Sequence, residues 1–418
     1  MRLTIVSQYY PPEVTAAAMR VSAFASGLAQ LGHEIEVICE VPNHPSGIVD
    51  EGFRGKRVVV RELDGVHVRH IWVRASERKT ISSRVLNYGS FLAHATTQGS
   101  SRPRPDVILA SSPPLPGAMA ARSIAARHRS PWVMDVRDLW PEAAVALGEL
   151  KPGRVVSALE RVEARLYRSA DAIVTVTEPF RQQIAATVDD PEKLTVIANG
   201  TTREWMKAGE QEPDREGVGL PTDKFVWTYA GNLGLAQGLE SAVDAAATLG
   251  EGFHLELVGD GARAPDLRER AEASGADVSF RGLVEPAEAA RLVRASDALL
   301  VSLADRPELA KFVPSKLFDY CAVGRPLIVA AAGEPQRLAV EAGAAIGTVP
   351  GDSAELADAV RTLRDHPSRA ATMSAAARKF AGAHLREDQI GKLERLLLET
   401  IERNSAGKAG RRTSSTSA

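Results

Sequence analysis

Short β-branched runs alternate along the chain with longer segments of helical periodicity. Between Val21 and Leu28, apolar residues repeat at i, i+3, i+4 and i+7, the spacing of one helix face, and Gly32 follows where a C-cap glycine is expected. Several strand-like runs are almost continuously apolar, which is typical of parallel strands covered on both faces. This alternation predicts a doubly wound parallel α/β sheet. The strand-like runs of the first half lie at 3–7, 35–39, 66–73, 106–111, 132–136, 172–177 and 194–198.

The pattern stops at 207–223, a polar stretch with several glycines and prolines, and then starts again. We therefore expect two Rossmann-like halves joined by a linker. The strand-like runs of the second half lie at 225–230, 254–259, 278–280, 298–302, 326–331 and 345–349. The predicted organisation is a first domain at 1–206, a linker at 207–223, a second domain at 224–385, an amphipathic helix at 386–404 and a disordered tail at 405–418.

Composition narrows the class of protein without changing this picture. The 418 residues carry a net charge of −2, which argues against a chain built to coat nucleic acid. Two cysteines, Cys39 and Cys321, cannot form a disulfide framework or a four-thiolate zinc site. No apolar run has the length of a membrane span, and the N-terminus does not read as a signal peptide. We expect a soluble, cytoplasmic, multi-domain protein.

Glycine-rich turns follow two strands of the second half. The first strand ends at Gly231-Asn232-Leu233-Gly234, and another ends at Gly259-Asp260-Gly261. Glycines after a strand let backbone amides approach a phosphate at a helix N-terminus. No G-x-G-x-x-G is present, so a dinucleotide fingerprint is not supported, and an ordinary strand-to-helix turn remains an alternative.

The segment 301–332 is the most informative part of the second half. Pro314-Ser315 marks a helix start and Gly324 its end. Ser315, Lys316 and Asp319 lie within one turn of each other. Ser315 and Lys316 at a helix N-terminus suit a diphosphate, and Asp319 could accept hydrogen bonds from ribose hydroxyls. The alternative is a solvated Lys-Asp pair.

The first half concentrates charge at the end of one buried strand. Asp135, Arg137, Asp138 and Glu142 follow the run that starts at Trp132 and form a candidate acceptor or catalytic edge; a salt-bridged loop is the alternative. The histidines show no metal-binding spacing, and no P-loop or G-x-S-x-G elbow occurs, so we expect no metal and no cofactor.

One basic cluster lies beside the apolar-leaning stretch VLNYGSFLAHA. A solvated surface is the favoured interpretation, and contact with anionic lipid headgroups is the alternative. The cluster comprises Arg69, His70, Arg74, Arg78, Lys79 and Arg84.

Taken in order, several motifs resemble glycosyltransferase family 4, the retaining transferases of GT-B fold. The resemblance covers roughly residues 1–398, and DVRDLWPE, AGNLGLAQG and VPSKLFDY point to the branch that contains the amino-fucosyl transferases of O-antigen and capsule assembly. The motifs that carry it are QYYPPE, GHEIEVIC, VIANGTT, YAGNLGLAQGLE, LELVGDGA, VSFRGLV and PSKLFDYCAVGRPLIVA.

The resemblance implies roles for the candidate residues. The donor would dock on the C-terminal half and the acceptor on the N-terminal half, and the final helix would cross back to the first domain. Ser315 and Lys316 would hold the diphosphate, Asp319 the ribose, and backbone at Gly282 and Leu283 the base. The implied donor residues are Gly231, Asn232, Gly234, Gly259, Asp260, Gly282, Leu283, Arg306, Ser315 and Asp319; the catalytic candidates are Lys316, Asp138 and Asp135; the acceptor-side candidates are Arg137 and Glu142.

The chain departs from the family pattern where relatives carry charge. Lys311 stands where many relatives have the first of two glutamates, Asn232 and Gln237 replace an Arg and a Lys, and Thr15-Ala16-Ala17 replaces a glycine pair. The positive charge that faces the leaving diphosphate must then come from elsewhere. Lys316 is the first candidate and Arg306 the second.

The resemblance implies a metal-independent retaining transfer from a nucleotide-diphosphate sugar, expected to be UDP-linked and to include N-acetylated amino sugars. The implied acceptor is a glycan or a polyprenyl-diphosphate-linked sugar at the inner membrane face, where a peripheral contact is plausible. A sugar-nucleotide epimerase of the same fold and a non-catalytic sugar-nucleotide binder are the alternatives.

Overall fold

The computed structural model describes residues 1–414 except Pro45, Lys79 and Glu149, with side chains described through residue 406. The chain divides into two compact units. Unit 1 contains Met1–Val145, Leu150–Ala198 and the chain from Glu387 onward, and unit 2 contains Ala146–Glu149 and Asn199–Arg386. Each unit is built on its own sheet, so the prediction of two doubly wound α/β domains is confirmed.

Unit 1 has an eight-stranded sheet in the order β3-β4-β2-β1-β5-β6-β7-β8. The order reverses between β1 and β5, which places the loops after these two strands at the crevice where open α/β sheets bind ligands. The strands are β1 Arg2–Val6, β2 Glu34–Glu40, β3 Val58–Leu63, β4 Val66–Ile71, β5 Val107–Ser112, β6 Trp132–Val136, β7 Ala172–Thr175 and β8 Leu194–Val196.

Strand β3 was not among the predicted strands. It pairs antiparallel with β4 at the sheet edge, while the other pairs of this sheet are parallel. The connecting turn is Asp64-Gly65, and both residues have positive φ (52° and 77°), as a type I′ hairpin turn requires.

The helices of unit 1 include one from the end of the chain. Leu393 and Leu397 of this last helix are fully buried in the same core as Leu3, Ile5 and Phe24. The helix runs ten residues past the end predicted at 404, and residues 415–418 of the predicted tail lie outside the described residues. The helices are α1 Ala16–Gln30, α2 Ile81–Ser100, α3 Leu115–His128, α4 Glu142–Ala146, α5 Arg154–Ser169 and α6 Glu178–Ala185, and the final one, α15, is Arg386–Ser414.

Unit 2 has a six-stranded, all-parallel sheet in the order β11-β10-β9-β12-β13-β14. Its order reverses between β9 and β12. The strands are β9 Phe225–Ala230, β10 Phe253–Val258, β11 Val278–Gly282, β12 Ala298–Ser302, β13 Leu327–Ala330 and β14 Ala345–Thr348. The helices are α7 Arg203–Glu210, α8 Glu240–Leu249, α9 Ala264–Ser274, α10 Pro286–Ala295, α11 Ser315–Val323, α12 Glu334–Glu341, α13 Ser353–Asp365 and α14 Pro367–Gly382.

The boundary between the units is not at 207–223, where the linker was predicted. The chain passes between the units at 198–199, and the polar segment is part of unit 2. Val218 and Leu220 are buried there with Val226 and Leu292, and Arg215 pairs with Asp297. Two isolated large apolar residues in a polar stretch have no periodicity, so this packing cannot be predicted from the pattern.

Candidate functional site

The loop after β9 is held against the end of β10 by close backbone packing. Gly231 (φ 141°) donates from its N–H to the main-chain oxygen of Val258 at 2.8 Å. A Cβ at Gly259 (φ 123°) would overlap the main-chain oxygen of Gly231, so both positions require glycine. These glycines bring the backbone of two predicted donor turns together at the carboxyl ends of β9 and β10, beside the switch point between β9 and β12.

Lys316 lies beside this loop, in the first turn of α11. Its Nζ is 3.5 Å from the centroid of the Tyr229 ring, and a Cβ at Gly231 would lie 2.5 Å from it. Within the described part of the chain, no carboxylate lies at ion-pair distance from this ammonium. Burial lowers the pKa of Lys316 to about 7. The candidate site therefore holds the partly desolvated Lys316 ammonium on the face of the Tyr229 ring, next to the backbone of Gly231.

Tyr229 is a site residue that the sequence analysis missed. The side chain is fully buried, and its hydroxyl donates to the main-chain oxygen of Asn232 at 2.9 Å, which fixes the ring under Lys316. An aromatic residue inside an apolar strand is typical of a core residue. Only its contact with Lys316 in the structure indicates a role in the candidate site. Burial raises the pKa of Tyr229 well above its ordinary value, so the phenol stays neutral.

Asp319 follows Lys316 by three residues and already has a partner. Thr201 donates from Oγ1 to Asp319 Oδ1 at 2.9 Å. Burial raises the pKa of Asp319 to about 6, while Arg386 and the Thr201 hydrogen bond oppose the rise. Thr201 belongs to the VIANGTT motif, from which no role for it was predicted. Its main chain also forms hydrogen bonds with the main chain of His384 and Arg386. One carboxylate oxygen is thus oriented by unit 2 itself.

The remaining donor candidates sit on the same side of the unit 2 sheet, at the ends of its strands. Gly282 closes β11 and pairs with Gly259, and the Leu283 side chain is 82% exposed. Arg306 follows β12, and its guanidinium donates to the main-chain oxygen of Ala146, in the short segment that belongs to unit 2. Arg306 is therefore already engaged by protein, which leaves Lys316 as the better placed cation.

Asp135, a predicted catalytic residue, is a buried ion-pair partner. Its side chain is 1% exposed, and Arg20 Nη2 contacts its Oδ1 at 2.9 Å. Arg20 also donates to the main-chain oxygens of Ile197 and Ala198. Asp135 thereby ties α1, β6 and the end of β8 together, since both of its oxygens accept from Arg20; its catalytic role stays a prediction.

Asp138 is better placed for chemistry in unit 1. Its Oδ1 is buried without a hydrogen-bond partner among the described residues, and burial raises its pKa to about 6. The neighbouring Arg137 donates from Nε to Ser111 Oγ at 2.7 Å, and Glu142 accepts from Gln183. Burial also raises the pKa of Glu163, which carries a hydrogen bond from Tyr167, to about 7.

A second polar network at the carboxyl ends of β1 and β2 was not predicted. Gln8 and Asn43 donate to opposite oxygens of the buried Glu40, at 2.9 Å each, and Glu13 accepts from the backbone amides of Asn43 and His44. Burial, with Glu13 nearby, raises the pKa of Glu40 to about 8. Glu13 belongs to the QYYPPE motif, and this motif was the sign in the sequence that could have indicated the network.

Two family models match the chain, one in each half. Residues 15–200 match the glycosyl transferase 4-like domain, and residues 224–366 match glycosyl transferases group 1. The chain is a glycosyltransferase of the GT-B type. The glycosyltransferase is 25% identical over 341 residues to WcaI of Escherichia coli (strain K12), which is named for glycosyl transfer in colanic acid biosynthesis; the match covers 79% of this chain and 83% of that one.

Solved structures share the fold of this glycosyltransferase. Anabaena HepE in complex with UDP has a TM-score of 0.71 at 17% identity, covering 96% of this chain and 100% of that chain. Sucrose-phosphate synthase from Thermosynechococcus elongatus has a TM-score of 0.74 at 17% identity, covering 95% and 99%. At this identity the likeness establishes the GT-B fold alone. Within the described residues, no helix of the glycosyltransferase is both long and apolar enough to cross a membrane.

Proposed function

We propose that the protein transfers a sugar, with retention, from a UDP-linked donor bound by unit 2 to a glycan or polyprenyl-diphosphate-linked acceptor bound by unit 1. The observation that carries this proposal is the Lys316 ammonium on the Tyr229 ring, without a carboxylate partner in the described chain. A half-buried amine next to glycine backbone is kept charged by a bound anion, and a nucleoside diphosphate supplies one.

Departure of the diphosphate is the step that Lys316 would assist. The family's usual Arg and Lys are absent, since Asn232 and Gln237 occupy those positions. Lys316 takes over the charge, and the amides at the start of α11, beside Ser315, stabilise the same oxygens. No metal ion is needed in this scheme, because charge neutralisation comes from the side chain and the helix.

Donor recognition follows from the same helix. Asp319, ionised above its pKa of about 6, has one oxygen held by Thr201 and would accept ribose hydroxyls with the other. HepE, a structural neighbour, has been solved with UDP and with UDP-glucose. That precedent supports a uridine donor, and N-acetylated amino sugars are the first sugar class that we would test.

The acceptor hydroxyl would be oriented by Asp138. Asp138 Oδ1 has no hydrogen-bond partner among the described residues, whereas both oxygens of Asp135 already accept from Arg20. A front-face transfer asks little of a protein base, so a carboxylate with a pKa of about 6 suffices. The relation to WcaI supports a product in surface polysaccharide synthesis.

The deciding experiment compares Lys316→Ala with Lys207→Ala, a change at an exposed lysine on α7. A panel of UDP-sugars is first screened by thermal shift, since a ligand at 100 times its Kd stabilises by about 2.7 kcal/mol. Turnover of the hit is then measured with membrane extracts as acceptor. We expect Lys316→Ala to lower kcat by about 10²-fold or more and Lys207→Ala to leave it unchanged. Near-wild-type turnover in Lys316→Ala would refute the assignment.

The same donor screen separates the alternatives. Isomerised sugar after incubation with donor alone would indicate an epimerase. UDP binding with no transfer to any lipid-linked acceptor would indicate a non-catalytic binder.

A further inference from the structure

The N-terminal end of α2 carries large apolar side chains that unit 1 leaves uncovered. Ile81, Val85 and Leu86 are 75%, 61% and 47% exposed. Ile81 and Val85 are four residues apart and share one face of the helix. The buried residues of α2 begin only at Phe91. A helix of a globular domain normally turns such residues to the core, so this end of α2 has an unusual surface.

Basic side chains flank these apolar residues. Arg74 and Arg78 are exposed, and within the described chain neither guanidinium has a carboxylate at ion-pair distance. Glu77 is the single acidic residue between 72 and 91. We call the surface formed by Ile81, Val85, Leu86, Arg74 and Arg78 the α2 patch.

A cavity of about 270 Å³ lies inside the α2 patch. Arg74, Arg78, Thr80 and Ser83 line it, and Leu86 forms part of its wall. Thr80 caps the helix by accepting from the amide of Ser83 at 3.2 Å, so the positive end of the α2 dipole is close by. Guanidinium and hydroxyl groups at a helix N-terminus are the chemistry that binds a phosphate group.

The α2 patch is narrower than the basic cluster seen in the sequence. Arg69 pairs with Glu36 at 3.3 Å, and His70 is fully buried, which lowers its pKa to about 4. Lys79 lies outside the described residues. Among the described residues of this basic cluster, exposed charge and exposed apolar side chains therefore meet at the N-terminal end of α2.

We propose that the α2 patch docks on the surface of an anionic phospholipid bilayer. Ile81, Val85 and Leu86 enter the boundary between headgroups and acyl chains, and Arg74 and Arg78 bind lipid phosphates. A helix that lies in a membrane interface combines protruding apolar side chains with neighbouring cations. The burial of apolar area and the attraction to anionic lipids then both contribute to the binding free energy. A nucleic acid would use the arginines but not the apolar residues. The proposal does not depend on the donor or on the proposed reaction.

The test is co-sedimentation of the full chain with vesicles of phosphatidylcholine alone and of phosphatidylcholine mixed with phosphatidylglycerol. We expect the protein to sediment with the anionic vesicles and to be released by salt. Arg74→Gln/Arg78→Gln should lower the partition coefficient about tenfold or more, since each basic residue near such a surface contributes about fivefold. Ile81→Asp/Val85→Asp should lower it at least as much.

Matched controls keep the result interpretable. Arg291→Gln/Arg369→Gln removes the same charge from exposed positions of unit 2, and Val340→Asp changes a 45% exposed valine on α12. Both should bind like the wild type, and thermal unfolding of all variants verifies that they fold. The proposal is overturned if the wild type ignores anionic vesicles, or if patch variants and controls bind alike. It is also overturned if the patch variants lose only self-association in sedimentation velocity without lipid.

Discussion

At the scale of the residue, the proposed donor site contains two ionisable groups, Lys316 and Asp319, whose neutral forms are favoured by burial. The pKa of Lys316 falls to about 7 and that of Asp319 rises to about 6. The sequence located both residues and their shared helix turn, because spacing in a short helix is readable. It could not locate Tyr229 or Thr201, since their contacts with these groups join residues 87 and 118 positions apart.

Lys316 should make UDP binding dependent on pH. The free amine is charged below its pKa of about 7 and neutral above it, so a bound diphosphate must draw a proton onto it at higher pH. From pH 7 to 8.5 we expect the Kd for UDP, measured by calorimetry, to rise by up to about tenfold per pH unit. Asp319 is ionised and Tyr229 neutral throughout this range. Lys316→Arg stays charged, so its Kd should be flat; an equally flat wild type would contradict the assignment.

Thr201 should act on ribose recognition through Asp319. Thr201→Val removes the hydroxyl that donates to Oδ1 at 2.9 Å, and the carboxylate loses its orientation. A hydrogen bond to a charged group contributes about 1.5–3 kcal/mol, and its loss reduces the binding free energy of UDP by part of this amount. We therefore expect UDP affinity to fall by roughly three- to tenfold. Thr201→Ser should restore it. A merely structural role would weaken UDP and its ribose-deoxy analogues equally, whereas a positioning role should spare the analogues.

At the scale of the element, the pattern predicted the strands of unit 2 to within one or two residues, because most of these parallel strands are largely apolar. It missed β3, whose exposed edge position lets Arg61 and Glu62 interrupt the apolar run. The Asp64-Gly65 pair was the readable sign of that hairpin. The segment at 207–223 was misassigned because its two large apolar residues, Val218 and Leu220, are too few to make a period.

A partly buried charge cluster on and beside β10 and β11 should set the pH stability of unit 2. His254 contacts Asp277 at 2.7 Å and Glu256 at 3.2 Å, and Arg281 contacts Glu256 at 2.9 Å. Burial opposes the ionisation of His254, Glu256 and Asp277, but their hydrogen bonds outweigh it. The pKa of His254 is therefore raised, and the pKa values of Glu256 and Asp277 are lowered.

The sign of each shift defines the window. The raised pKa of His254 stabilises the folded state below about pH 6.5, and this contribution is lost as the pH rises through the pKa of the folded state. The lowered pKa values of Glu256 and Asp277 stabilise the folded state above about pH 4.5, and this contribution is lost on acidification. We expect the Tm advantage of the wild type over His254→Gln to be largest between these limits and to shrink toward pH 8. Differential scanning calorimetry across pH 4.5–8 measures it; an advantage that grows toward pH 8 would contradict the charged-histidine account.

At the scale of the whole molecule, unit 1 is closed by a helix from the far end of the chain. Leu393 and Leu397 of α15 are fully buried in the unit 1 core. Leu393→Ala should lower the free energy of unfolding by about 2–5 kcal/mol, read from urea denaturation. The exposed Leu398, at 38%, is the matched control, and Leu398→Ala should cost far less. Similar losses for the two would show that α15 does not complete this core.

This closure has a consequence for the order in which the protein is made. The ribosome delivers residues 1–198 before residues 390–397, so their core lacks the side chains of Ile390, Leu393, Leu396 and Leu397 until all of unit 2 has been synthesised. Unit 2 is contiguous apart from one short segment and can fold while the N-terminal part still waits. Until α15 is synthesised, residues 1–198 expose the apolar surface that α15 covers, so we expect this part of the nascent chain to bind chaperones.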